Sequence, residues 1–351
     1  LERVVDLHLT DNATRKKWQS FLEQLDLHNF SEREVESIDH TIGLIDEDGK
    51  LVATGSTSGN VLKYLGVCNK DAVQGQRFNQ IVTALQQYLF SEKIFHFFVF
   101  TKKKYSQSFQ HLNFRELAAT DQAAFLESGM PGIDDYLESL PQDPSQKDKR
   151  IAAVVMNANP FTLGHRYLVE TASKENDIVY VFVVKTDASL FSAHERIRLV
   201  KDGLSDLDNV CVVSSQDYQV SKATFPAYFL KSPDDLIKEQ TAIDALVFKN
   251  WLAPKLNITS RYLGQEPFSK TTERYNESLI KILEPKIKVK VLNRLTEDDK
   301  IITATEVRKL IKNNDLAGIE ELVPATTFNF IKVHLTELQT RIKKGKQING
   351  N

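Results

Sequence analysis

The chain has 351 residues, 41% of them hydrophobic, and 45 basic side chains against 47 acidic ones leave a formal net charge of −2. So even a balance excludes the global field that nucleic acid or an anionic membrane surface would call for, and no apolar run approaches the length of a bilayer span. The two cysteines, Cys68 and Cys211, form no CxxC and no ligand-like pair, so neither a disulfide framework nor a zinc site is expected. Both read as buried small apolar residues, and with a start that lacks the layout of a signal peptide they fit a reducing, cytoplasmic setting.

In chain order, Trp18, Phe21, Leu22 and Leu25 recur at helical spacing after a cap at Asp11 or Asn12. Thr41 to Ile45 and Leu51 to Gly55 read as a hairpin, with an Asp-Gly step in the turn between them. Val61 to Val67 reads as a strand and Gln76 to Tyr88 as a helix. Phe95 to Phe100 reads as a buried strand, Tyr105 to His111 as a short helix and Phe114 to Leu117 as a final strand. Breaker-rich polar stretches around Gly129-Met130-Pro131-Gly132 and from Pro141 to Arg150 flank a short helix, Ile133 to Leu140. The domain boundary is therefore set near Arg150, giving domains 1–149 and 150–351.

Beyond it strands and helices alternate, which predicts a parallel sheet with right-handed crossovers. Ile151 to Val155, Ile178 to Val184, Val210 to Val213, Asp244 to Phe248 and Lys288 to Leu292 read as five strands in turn. Ser192-Ala193-His194-Glu195 and Thr303-Ala304-Thr305-Glu306 are capping boxes that open helices. Phe328, Ile331, Leu335, Leu338 and Ile342 mark an amphipathic helix near the end.

The stretch Asn157-Ala158-Asn159-Pro160-Phe161-Thr162-Leu163-Gly164-His165 sits between the first of these strands and a helix. A loop there, at the carboxyl end of a parallel strand, is where α/β sheets bind nucleotides, and helix-start amides favour phosphate. Taken singly, Thr-x-Gly-His is a weak pattern, Thr303 to Glu306 is a helix cap and Arg308 is a solvated charge. Their joint occurrence resembles the two-box signature of the adenylyl-transferring superfamily, in which a (His/Thr)-x-Gly-His loop is followed by a Ser/Thr-rich box ending in Arg or Lys. Together with Ser221 to Lys231 and Gly264-Gln265-Glu266-Pro267-Phe268, they resemble the citrate (pro-3S)-lyase ligase family along the whole chain.

The resemblance implies an α/β protein with an N-terminal GNAT-like α+β domain followed by a Rossmann-like parallel-sheet nucleotidyltransferase domain. In the GNAT acetyltransferases a Gln/Arg-x-x-Gly-x-Gly/Ala loop grips a pyrophosphate. Of the matching positions Ala72, Gly75 and Arg77 only Gly75 fits, and Phe109 to Phe114 is similar to a later box with Asn113 in place of Gly. The first domain either holds a thiol-bearing arm or acetyl group or is structural. Lys102-Lys103-Lys104 reads as a solvated turn or as a contact for an acidic carrier.

For the second domain the resemblance implies ATP as substrate with Mg²⁺ carried on the triphosphate, and no dedicated carboxylate cage for metal is visible. The expected ATP-binding residues are Asn157, Pro160, Phe161, Thr162, Gly164, His165, Lys249, Thr303, Thr305 and Arg308, with His165, Thr162 and Arg308 catalytic. Lys249 is included because it follows a predicted strand end. Arg196 and Arg198 either reach the site or form a solvated helix face, Asp217 and Tyr218 are substrate-side or turn residues, and Thr224 to Tyr228 is expected to form part of the acceptor wall. The implied partners are acetate and the citrate lyase acyl carrier subunit with its phosphoribosyl-dephospho-CoA arm. The alternative activity is an adenylyltransferase that makes a cofactor from a phosphopantetheine-like precursor. A third reading is a nucleotide-binding regulatory protein, against which the intact pair His165 and Arg308 argues.

Overall fold

The computed structural model describes residues 2–70, 73, 75–142, 145–185, 189–220, 225–226, 228, 230, 232–265, 270–293, 296–297, 300–346 and 348. The chain forms two units, Leu1–Tyr136 with Thr224–Ile243 and Leu137–Ala223 with Asp244–Asn351. The expected split at 149/150 is thus revised twice. The division falls within the short helix read as linker, and residues 224–243 join the first unit instead of staying in an unbroken second domain. Burial explains the second revision, because Phe225, Tyr228 and Leu230 are 5%, 4% and 5% exposed.

In the first unit seven strands form one sheet in the order β1-β2-β3-β4-β5-β7-β6. They are β1 (Arg3–Asp6), β2 (His40–Ile45), β3 (Leu51–Ser58), β4 (Val61–Val67), β5 (His96–Lys102), β6 (Arg115–Ala119) and β7 (Ala123–Gly129). The predicted hairpin is β2–β3, its turn held by Asp46, whose Oδ1 accepts from the amides of Asp48 and Lys50. Helices α1 (Asn12–Gln24), α2 (Glu32–Glu36), α3 (Gln76–Ser91), α4 (Ser106–Gln110) and α5 (Ile133–Ser139) complete the order predicted for a GNAT-like α+β unit. Asp11 is the cap of α1, accepting from the Thr14 amide. Ile81, Val82, Leu85 and Leu89 of α3 pack on the sheet. Gly55 lets them approach, since a Cβ there would lie 2.7 Å from Leu85 Cδ1.

Two strands went unread in the sequence. β1 is mostly exposed and so shows no apolar run, and β7 returns between β5 and β6 from a stretch that looked like the start of a linker. Ala72 lies outside the described residues. Arg77 is buried, and its guanidinium donates to Glu2 and to the carbonyls of Cys68 and Lys70. Cys68 and Cys211 are free thiols and only half-buried, short of the full burial expected.

The second unit carries a five-stranded parallel sheet in the order β10-β9-β8-β11-β12. Its strands are β8 (Ile151–Met156), β9 (Ile178–Val183), β10 (Val210–Ser214), β11 (Ser260–Gly264) and β12 (Lys288–Leu292), with a small pair β13 (Thr296–Glu297) and β14 (Lys300–Ile301) outside it. Its helices are α6 (Leu163–Glu175), α7 (Ala193–Gly203), α9 (Ala253–Leu256), α10 (Lys270–Leu283), α11 (Ala304–Asn313), α12 (Leu316–Glu320) and α13 (Ala325–Lys343); α8 (Pro233–Val247) belongs to the first unit as far as Ile243 and to the second from Asp244. The chain winds outward from β8 to β10 and then restarts on the other side at β11. The winding therefore reverses between β8 and β11, the place where such sheets bind ligands.

The fourth strand is a correction. Asp244 to Phe248 is not a strand; it is the end of α8, running into a π-helical turn over Phe248–Leu252. Residues 240–245 of that helix are all buried, the polar Gln240, Thr241 and Asp244 included, so no alternation of apolar and polar residues marks a helical period. The true fourth strand, β11, hides behind Arg261. That residue is 1% exposed, stacks 4.6 Å from the Phe248 ring and lies 3.8 Å from Asp244. Burial holds the Asp244 carboxyl above its usual range, while Val220, Gln219 and Tyr275 donate to it.

Ala152, Val154 and Met156 of β8 and Tyr262 of β11 form one core with α6, α7, α11 and α13. Among the described residues no helix is long and apolar enough to cross a membrane. Gly203, at the end of α7, lies against Phe161, where a Cβ would fall 2.6 Å from the ring. Gly203→Ala should therefore cost about 1–3 kcal/mol of stability by overpacking, read as a lower denaturant midpoint; an unchanged midpoint would show that Phe161 yields freely.

Candidate active site

β8 ends at Met156, and the next residues leave the strand sharply. Ala158 takes a φ of 50°, a left-handed conformation that costs a non-glycine residue about 1–2 kcal/mol. The Asn159–Pro160 peptide is cis, and Ala158, Asn159, Pro160 and Phe161 are buried. Something must hold so irregular a loop, and Arg196 of α7 does. It is 0% exposed. Its Nη1 donates to the carbonyl and Oδ1 of Asn157, both at 2.8 Å, and to the Val184 carbonyl; its Nε donates to the Phe191 carbonyl. Asn159 Oδ1 accepts from the Phe191 amide, and Asn157 Nδ2 donates to Ser189 Oγ.

The next turn opens α6. Thr162 is its N-cap and His165 stands three residues on, where a capping box usually has Glu. Thr162 Oγ1 accepts from the His165 amide at 3.3 Å, and His165 Nδ1 accepts from the Thr162 amide at 3.1 Å. The ring packs parallel to Phe161, with centroids 6.0 Å apart. Because Nδ1 is an acceptor, the neutral ring carries its proton on Nε2, which makes that edge a hydrogen-bond donor.

The second box meets this loop. Thr303 caps α11, accepting from the Glu306 amide at 3.1 Å. Arg308 is 0% exposed. Its Nη1 donates to the carbonyl of Asn159, its Nη2 to Thr305 Oγ1 at 3.0 Å and its Nε to the carbonyl of Ile348 at 2.8 Å. Gly164 faces the same box, since a Cβ there would be 3.4 Å from the Ile302 carbonyl oxygen. Burial pulls the Arg308 guanidinium down to about 10, so it is still a cation at neutral pH. Two buried guanidinium groups thus hold one short loop at the start of α6, their donors engaged by backbone carbonyls and by the Asn157 and Thr305 side chains.

The structure therefore brings together Asn157, Pro160, Phe161, Thr162, Gly164, His165, Thr303, Thr305 and Arg308. It separates Lys249 from the strand end expected for it: the ammonium donates to the Ile282 carbonyl near the end of α10. Arg198 forms a solvated pair with Asp202, whereas Arg196 is a buried clamp. Its signal was present in the sequence, because Arg196 stands with Leu199, Val200 and Gly203 on the core stripe of α7. Asp217 pairs with Lys185 at 3.2 Å and Tyr218 is buried. The expected acceptor wall is corrected as well. Phe225 and Tyr228 are core residues of the first unit, and Thr224 and Ala227 lie outside the described residues, as do 221–223, 229, 231 and 266–268.

The family described as Citrate lyase ligase C-terminal domain matches residues 151–331. The chain is 33% identical to the citrate (pro-3S)-lyase ligase of Escherichia coli (strain K12) over 333 residues, 92% of this chain and 94% of the relative. It is 35% identical to the ligase of that name from Klebsiella pneumoniae over 289 residues, 80% of this chain and 84% of the relative. Among solved structures, a bifunctional NMN adenylyltransferase/ADP ribose pyrophosphatase from Francisella tularensis is 17% identical. The match covers 56% of this chain and 53% of that one, with a TM-score of 0.35.

Arg196→Met should leave several buried carbonyl groups without a donor, each worth about 1–3 kcal/mol. The expected result is a lower melting temperature together with weakened ATP binding by calorimetry. Wild-type values for both would remove Arg196 from its role as the clamp.

Proposed function

The chain belongs to the citrate lyase ligase family, and on that footing we propose that it acetylates the thiol of the citrate lyase acyl carrier subunit through an acetyl-adenylate. The observation that supports this reading is the meeting of the two boxes, in which Arg308 donates to the Asn159 carbonyl of the loop that leads into Thr162 and His165. A triphosphate held there would lie against the first turn of α6, the threonine hydroxyls and the Arg308 guanidinium. Thr162 and His165 Nε2 would donate on one side, and Thr303, Thr305 and Arg308 on the other.

In the first step an acetate oxygen attacks the α-phosphorus. The new O–P bond forms as the bond to the bridging oxygen breaks, and pyrophosphate leaves with the charge that developed on it. The protein's part is to hold the phosphates in line and to stabilise that charge. In the second step the sulfur of the phosphoribosyl-dephospho-CoA arm attacks the acetyl carbonyl. A C–S bond replaces the C–O bond to AMP, and the thiol proton passes to solvent. Mg²⁺ would neutralise the triphosphate, carried mainly by phosphate and water. Two free cysteines suit a cytoplasmic setting for this chemistry.

The test is pyrophosphate release from ATP with acetate, with and without deacetylated citrate lyase. Acetate-dependent release that rises with the thiol carrier is expected. Release with 4′-phosphopantetheine but not with acetate would move the chain to the adenylyltransferases. His165→Ala should lower turnover about 10²- to 10³-fold, as loss of one donor to developing charge does. Near-normal turnover in a folded variant would remove His165 from the site.

A further inference from the structure

In the first unit β4 and β5 run parallel and pair through two rungs only, Val61 with Phe98 and Leu62 with Val99. Beyond them the strands part, although β4 stays paired with β3 as far as Val67 and β5 with β7 as far as Lys102. At the parting the β3–β4 register slips: Tyr64 and Leu65 form a bulge opposite the single residue Gly55, and Tyr64 takes a φ of 52°. Its amide is thus out of the ladder and needs another acceptor.

That acceptor comes from far along the chain. Tyr64 donates its amide to the Tyr228 hydroxyl at 3.0 Å, and the two rings stack with centroids 4.2 Å apart. On the facing strand Phe100 meets the edge of Phe225 at 5.3 Å. The inserted residues are tied down at their backbone as well. The His28 amide donates to the Tyr228 carbonyl at 2.7 Å, and Asn29 Nδ2 donates to the Leu230 carbonyl at 2.9 Å. One aromatic residue therefore contacts each of the diverging strands.

We infer that Phe225, Tyr228 and Leu230 form an intrachain wedge that shuts the opening between β4 and β5, so that the first unit receives its own chain there and takes no acyl-thioester arm. Arg77 acts in the same direction. Its guanidinium is tied to the carbonyls of Cys68 and Lys70, just past the end of β4, and to Glu2. Of the two roles open to this unit in the sequence, holding an arm or being structural, the wedge selects the second. The inference concerns the first unit alone and does not depend on the chemistry proposed for the second.

The experiment is hydrogen exchange on the full chain, comparing wild type with Tyr228→Phe and Phe225→Ala, together with calorimetric titration of the wild type with acetyl-CoA. Exchange of the Tyr64 amide should accelerate at least tenfold in Tyr228→Phe while peptides of β2 and the start of β3 keep their protection. With excess ATP present, the wild type should give no saturable heat with acetyl-CoA. Should Tyr228→Phe fail to fold, the same acceleration is read in Phe225→Ala. Saturable binding of acetyl-CoA that excess ATP does not displace, or unchanged Tyr64 exchange in the folded variants, would overturn the wedge. So would an equal loss of protection across the whole sheet, which would make Tyr228 an ordinary core residue.

Discussion

Two buried guanidinium groups hold one irregular loop, and the rest of the second unit depends on that constraint. Left to itself the stretch from Asn157 to Phe161 would not keep a left-handed alanine and a buried run of backbone carbonyls. Arg196 binds the loop from α7 and Arg308 binds it from α11. Because the loop is fixed, α6 starts at a defined point above the sheet, and Thr162 and His165 can satisfy each other's amides. The residues best placed to meet phosphate thus also terminate the helix.

How much of this was legible follows from residue chemistry. The two boxes could be read because each needs specific residue types at fixed spacing, and capping boxes announce helix starts regardless of tertiary context. Hairpin β2–β3 was legible from its Asp-Gly turn. What failed did so for physical reasons. Helix α8 is buried on all sides near its end, so Asp244 to Phe248 lost the periodicity that separates helix from strand. β11 was invisible because a buried arginine offset by Asp244 and Phe248 looks like a surface residue in sequence. The place of Lys249 fell with the strand that was expected to carry it. Phe225 and Tyr228 were assigned to the wrong unit, since nothing local says which core an aromatic residue joins.

Arginine does several different jobs in this chain, and only position tells them apart. Arg198 stays in solvent with Asp202, Arg77 staples a loop to the amino-terminal residues, and Arg196 and Arg308 organise a loop from below. The planar fork of a guanidinium can serve several carbonyl groups at once, which a lysine ammonium does with less geometric control. Lysine at the two buried positions would hold the loop by a single point charge.

The insertion of residues 224–243 into the first unit also has a consequence for the order of synthesis. A ribosome delivers the chain from its amino end, and domains commonly fold as they emerge, at about 5–20 residues per second. Here the first unit cannot complete its core when residue 136 appears, because Tyr228 and Phe225 are still to come. The gap of some ninety residues amounts to roughly 5–20 s at that rate. During that interval β8, β9 and β10 emerge ahead of the aromatic residues that the first unit is waiting for. Nascent chains of this protein therefore spend that time with the first unit uncovered at the parting of β4 and β5.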